Sequence, residues 1–201
     1  MSNGSERINL VMSDGQRGEP TRLFESRATE GFWERFVRPG IVIDIGYKGA
    51  ADSAPIFREA VGLDIGTPGY DGRNLPYGDG SVGTIHASHL LEHVADYGHF
   101  LRECLRVLSF EGTLILLVPL MDSYERRLTP PSVFNQDHRR FYTSARLLFE
   151  IESSLPRPTY SILHLRERFR VSDLFLPQDV HALGPYEIEC VLAKARPDGI
   201  Y

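Results

Sequence analysis

Two histidine-bearing stretches hold the residue types best suited to chemistry. "SHLLEHV" (88–94) carries His89, Glu92 and His93, and "NQDHRRFY" (135–142) carries His138. An imidazole accepts a proton near neutral pH, which suits a reaction in which an alcohol is deprotonated as it attacks. His89 and His138 are the candidate general bases. His89 closes a central apolar stretch, and His138 sits in a Pro-rich loop of the sort that covers substrates. Beside it, Arg139, Arg140 and Tyr142 are candidates to grip an anionic or sugar substrate, since guanidinium presents a planar fork to phosphate or carboxylate. Asp137 is a candidate to orient substrate hydroxyls. The competing reading is structural: Glu92 and His93 open a helix, and the arginines belong to a solvated loop anchored by Phe141 or Tyr142.

A third stretch, "IVIDIGYKGA" (41–50), runs from an apolar strand into Gly46-Tyr47-Lys48-Gly49, with a lysine where nucleotide loops carry a further glycine. In open α/β sheets, ligands bind beyond the carboxyl ends of the strands, which is where this loop falls. Asp64 follows Asp44 by about twenty residues and ends the next apolar run, the spacing of a carboxylate that holds a ribose diol. The alternative is an ordinary turn, with Asp64 capping the next loop. Lys48 either pairs with a ligand carboxylate or is solvated.

Those residues need a scaffold. The chain has 201 residues, 42% hydrophobic and 24% charged, which fits one α/β domain with a sizeable core. A net charge of -5 argues against a nonspecific grip on nucleic acid. No apolar run reaches membrane-spanning length, and the start lacks a signal-peptide layout, so the expected location is cytoplasmic. Cys104 and Cys190 lie in apolar segments and read as buried thiols.

Residues 1–20 are expected to form a flexible arm. Residues 21–37 read as one amphipathic helix stopped by Pro39-Gly40. Strands are expected at 41–45, 60–65, "VGTIHAS" and "TLILLVP", then near "TYSILHL" and "YEIECVLAKA". Asp96 should cap a helix closed by Gly112, and Thr143 or Ser144 should cap another. Strands alternating with helices imply a doubly wound, mostly parallel sheet covered on both faces.

The ordered set "VIDIG", "GLDI", "NLPYGDGSVGTIHASHLLEHV" and "LRECLRVLSFEGTLILLVP" resembles class I S-adenosylmethionine-dependent methyltransferases of the type 11 group over about residues 38–120. "NQDHRRFYTSARLLFEIE" is similar to a subgroup associated with sugar or polysaccharide modification. The resemblance implies a Rossmann-like seven-stranded sheet with its last strand antiparallel, in a single domain over 21–201. It implies S-adenosylmethionine as cofactor, with Gly46, Tyr47, Lys48 and Gly49 at its methionine end and Asp64 on its ribose. Ile65, Asp71, Leu75 and Pro76 would surround its adenine. Two departures stand out: Val82-Gly83 replaces F-D, and 64–75 is too short for the usual helix and third strand. A secondary reading is a metal site. His89-x-x-Glu92-His93 is similar to the E-x-x-E-H site of certain O-methyltransferases, with His138 as a distal ligand. The implied activity is O-methylation of a small molecule or glycan precursor. The rivals are a binding protein of the same fold without turnover and a nicotinamide-dependent oxidoreductase.

Overall fold

The computed structural model describes residues 10–15, 19–48 and 53–197. Helices α1 (Glu19–Arg22), α2 (Phe24–Thr29) and α3 (Phe32–Phe36) come first. They take the place of the single helix expected over 21–37, because Gly31 adopts φ 69° and turns the chain between α2 and α3. The strands are β1 (Ile41–Ile45), β2 (Val61–Leu63), β3 (Val82–Ser88), β4 (Leu108–Pro119), β5 (Tyr160–Phe169) and β6 (Tyr186–Lys194). Helices α4 (Tyr97–Val107), α5 (Met121–Tyr124) and α6 (Ser144–Ser154) interleave with them, and a 3-10 turn spans Val171–Phe175.

The sheet order is β2-β1-β3-β4-β6-β5. β1 pairs in parallel with β2 and β3, β3 pairs in parallel with β4, and β6 runs antiparallel to both β4 and β5. The expected antiparallel last strand is therefore present, but the sheet has six strands and not seven. Between Leu63 and Val82 the chain carries Gly66, Pro68, Gly69, Gly72, Pro76, Gly78 and Gly80, and it makes turns where the outer strand would stand.

Alternation along the strands builds two cores. Ile43, Ile45, Ile85, Leu114 and Leu116 face α4 and α6, where Leu101, Cys104, Leu147 and Ile151 are buried. Val42, Ile115, Leu117 and Val191 face Phe24, Phe32, Trp33 and Phe36. Helices thus cover both faces. Asp96 caps α4 by accepting from the His99 amide at 3.0 Å, and Thr143 caps α6 through the Arg146 amide at 3.2 Å. α4 ends at Val107, not Gly112, because Leu108 passes straight into β4. Gly112 instead serves a close approach: a Cβ there would lie 2.9 Å from the Ser109 carbonyl oxygen. Gly83 has the same role, since a Cβ would fall 2.0 Å from the Pro39 carbonyl.

Part of the expected arm is docked: Met12 bridges Phe57, and Arg58 N donates to Val11 O at 3.1 Å. The rest of that arm lies largely outside the described residues. Both cysteines are free and buried. No helix among the described residues is long and apolar enough to cross a membrane.

Candidate active site

β1 delivers Gly46 at φ 77°, a conformation that glycine reaches without strain. Its amide donates to Leu63 O at 2.8 Å, and an added Cβ would stand 2.8 Å from Leu90 Cδ1. Above this turn opens a cavity of about 330 Å³, lined by Gly46, Asp64, Ile65, Tyr70, His93 and His99 among others. Asp64 Oδ2 accepts from Lys48 N at 3.0 Å and Oδ1 accepts from Ile65 N at 2.7 Å. Each oxygen keeps a lone pair for a further donor. Ile65, 84% exposed, presents its side chain at the rim.

Lys48 is exposed, with Nζ 5.9 Å from the Tyr47 ring centroid, and Tyr47 lies over Gly62. Gly49 lies outside the described residues. Asp71, Leu75 and Pro76 were expected around a base, but they stand outside the cavity lining. Asp71 is turned to its own loop, accepting from Asn74 N at 2.6 Å and Arg73 N at 2.8 Å, and these backbone bonds lower its pKa. Leu75 is buried in the core, and Pro76 is exposed. Their loop offers Tyr70 and Gly72 to the cavity, while Val94, Asp96 and Phe100 at the start of α4 supply the facing wall. Sequence patterning had marked Asp96 only as a cap.

Behind His93 the titratable groups converge. His89 follows β3 at φ 50° and is fixed by its amide on Leu117 O at 2.8 Å. Its Nε2 is 3.0 Å from Glu187 Oε1, and its Nδ1 is 3.8 Å from Glu92 Oε1. His138 Nε2 and His93 Nε2 stand 3.9 and 4.0 Å from the same oxygen. The stretch 91–93 is a turn, not the helical segment expected, and α4 begins only at Tyr97. The loop carrying His138 is pinned on this turn by Arg139 N donating to Glu92 O at 2.9 Å.

Glu92 is 0% exposed, and neither carboxylate oxygen has a hydrogen-bond partner among the described residues. Burial pushes its pKa up to about 7. His138 is 5% exposed, and burial, helped by the neighbouring imidazoles, pushes it down to about 4. It therefore sits within the fold, not on a mobile cover.

Two further expectations are corrected. Tyr142 and Arg140 face the interior and not a substrate. The Tyr142 hydroxyl donates to Glu150 Oε2 at 2.7 Å, and Arg140 Nη1 donates to Leu91 O at 2.7 Å. Arg139 and Asp137 are exposed, although Arg139 Nε also donates to His93 O at 2.9 Å.

The partner that sequence reasoning missed is Glu187. Burial alone would raise its pKa, but the bond to His89 and the charge of Arg27 outweigh that and hold it at about 2. Arg27, fully buried in α2, pairs with Glu187 and also with Glu189 Oε1 at 2.7 Å. Alternating glutamates in an otherwise largely apolar last strand were the available signal.

Residues 50–116 match the methyltransferase domain family. No curated protein matches the chain in sequence. Among solved structures, it is similar to the [4+2]-cyclase SpnF at 16% identity and TM-score 0.57, over 91% of this chain and 84% of that one. A SAM-dependent methyltransferase from Archaeoglobus fulgidus superposes at 14% identity and TM-score 0.53, over 89% and 96%. One from Thermotoga maritima does so at 15% and 0.51, over 88% and 98%.

Proposed function

We propose that this chain, a class I S-adenosylmethionine-dependent methyltransferase in fold and domain, methylates a hydroxyl oxygen of a small molecule or glycan precursor in the cytoplasm. The observation that carries the reading is that His93 lines the cavity and also belongs to the histidine cluster behind it. The cavity residues suit S-adenosylmethionine. Gly46 leaves backbone room where a side chain would meet Leu90, and Asp64 keeps one acceptor position per oxygen for a ribose diol. Ile65 offers an exposed apolar face to a purine. When bound, the cofactor supplies an electrophilic methyl group.

The chain must then hold the acceptor oxygen in line and take its proton. Of the two candidate bases, the geometry favours His89. Glu187 fixes its ring and stabilises the imidazolium that proton uptake creates, the role of the acid in a catalytic triad. His138, held neutral and weakly basic by burial, lies behind the wall. Arg139 and Asp137 remain the exposed polar groups available to an acceptor, and Lys48 is a solvated residue of the loop.

Calorimetry with S-adenosylhomocysteine, followed by turnover with labelled S-adenosylmethionine and hydroxylated acceptors, tests the reading. His89→Ala should leave cofactor affinity within about threefold and lower turnover by about 10² to 10⁴. Wild-type turnover in that variant would remove His89 as base. Tight NAD binding with no response to either sulfur ligand would overturn the whole assignment. A second reading is a protein of the same fold that binds the cofactor without methyl transfer. Its mark would be sulfur-ligand binding with no labelled product.

A further inference from the structure

We infer that Glu92, His93 and His138 form a binding site for one divalent transition-metal ion of the zinc class, set behind the cavity wall that His93 lines. Ligand atoms from the three residues lie within 4.8 Å of one another, and both imidazole Nε2 atoms stand 3.9–4.0 Å from Glu92 Oε1. Tetrahedral bonds of about 2.0–2.1 Å would place ligand atoms about 3.3 Å apart. The side chains therefore need to draw together by about 0.6–1.5 Å, within the reach of side-chain torsional changes.

A second observation points the same way. Glu92 is fully buried with no hydrogen-bond donor on either oxygen among the described residues. A buried carboxylate is costly unless a charge or a donor meets it. A cation held between the carboxylate and two imidazoles meets it at once. Two nitrogens and one oxygen suit zinc, cobalt, nickel or iron(II) better than magnesium or calcium, which prefer all-oxygen shells.

Three protein donors leave a coordination position that an acceptor hydroxyl would fill. His89 Nδ1, 3.8 Å from Glu92 Oε1, stands next to that position. The base and the ion would then act on one hydroxyl. The site goes beyond the methyl-transfer reading and stands without it.

The test uses the full chain, free of any affinity tag and stripped with a chelator. Zn²⁺ is titrated by calorimetry, Co²⁺ by its visible absorption, and Mg²⁺ as comparator, with S-adenosylhomocysteine binding measured on the same samples. One Zn²⁺ per chain is expected, with no heat from Mg²⁺ at equal concentration. Glu92→Gln, which keeps the shape of the side chain, should weaken Zn²⁺ at least about tenfold, as should His93→Ala and His138→Ala. Circular dichroism checks that each variant is folded. A chain that binds S-adenosylhomocysteine but takes up no Zn²⁺ overturns the site, as do folded variants that bind Zn²⁺ as tightly as wild type. A chain that binds one Zn²⁺ and no sulfur ligand keeps the site and overturns the cofactor reading.

Discussion

Replacing Asp64 by alanine isolates the contact on which the cofactor reading depends. In the free protein each carboxylate oxygen accepts one backbone amide, Lys48 N at 3.0 Å and Ile65 N at 2.7 Å. A ribose diol would add one donor to each. A hydrogen bond to a charged acceptor contributes about 1.5–3 kcal/mol. Two at the lower figure give about 3 kcal/mol, and at about 1.4 kcal/mol per decade this is roughly a hundredfold loss of affinity. Asp64 is only half-buried and makes no ion pair among the described residues, so the fold should survive its loss. Calorimetric titration of S-adenosylhomocysteine into wild type and Asp64→Ala reads the effect, with thermal unfolding as the check on folding. A folded variant whose affinity stays within threefold of wild type would refute the reasoning, because neither oxygen would then hold the diol.

Three other outcomes follow from the same geometry. Gly46→Ala places a side chain at φ 77° and 2.8 Å from Leu90 Cδ1, so it should cost about 1–2 kcal/mol of stability in urea titrations and lower cofactor affinity at least tenfold. Arg27→Met removes the cation shared by Glu187 and Glu189, which keep His89 and Arg168 as partners, so it should cost about 1.5–3 kcal/mol and lower Tm by about 5–10 °C. Glu187, held at about 2 against an ordinary value of 4.5, contributes stability that is present above pH 4.5 and lost as pH falls toward 2. Urea unfolding at pH 6, 4 and 3 should show that decline, and Glu187→Gln should flatten it.

The sequence displayed strands and caps well, because those signals are local. β1 and β3 occupy the stretches that their apolar runs predict, and Asp96 caps α4 as its type and position require. The six-strand sheet was half visible: the short segment after Asp64 ruled out a helix and strand there, while the family pattern asked for seven. The broken helix over 21–37 turned on one glycine that tolerates positive φ.

The placement of the candidate residues was legible where a strand end or loop fixes them, as at Gly46, Asp64 and His89. They were misread where residue type was the only guide. Arg140 and Tyr142 look like binding groups, yet packing on Leu91 and Glu150 turns both inward. Glu187 could not be foreseen as the partner of His89, because 98 residues separate them and the register of β6 alone brings them together.

That register also constrains the order of assembly. β6 is the last strand in sequence, yet it lies between β4 and β5, and it carries both carboxylates that neutralise Arg27. A nascent chain emerging from the ribosome can pair β1, β2, β3 and β4 as they appear. β5 then lacks β6, the strand it pairs with, and α2 would have to bury a bare guanidinium. Until residues 186–194 thread into the gap, the half-built domain keeps an open edge on β4 and an unneutralised charge over one face. Completion of this sheet therefore waits for β6. The same insertion that closes it also brings Glu187 to His89, so a chain stalled short of β6 lacks the partner of His89 as well as part of its core.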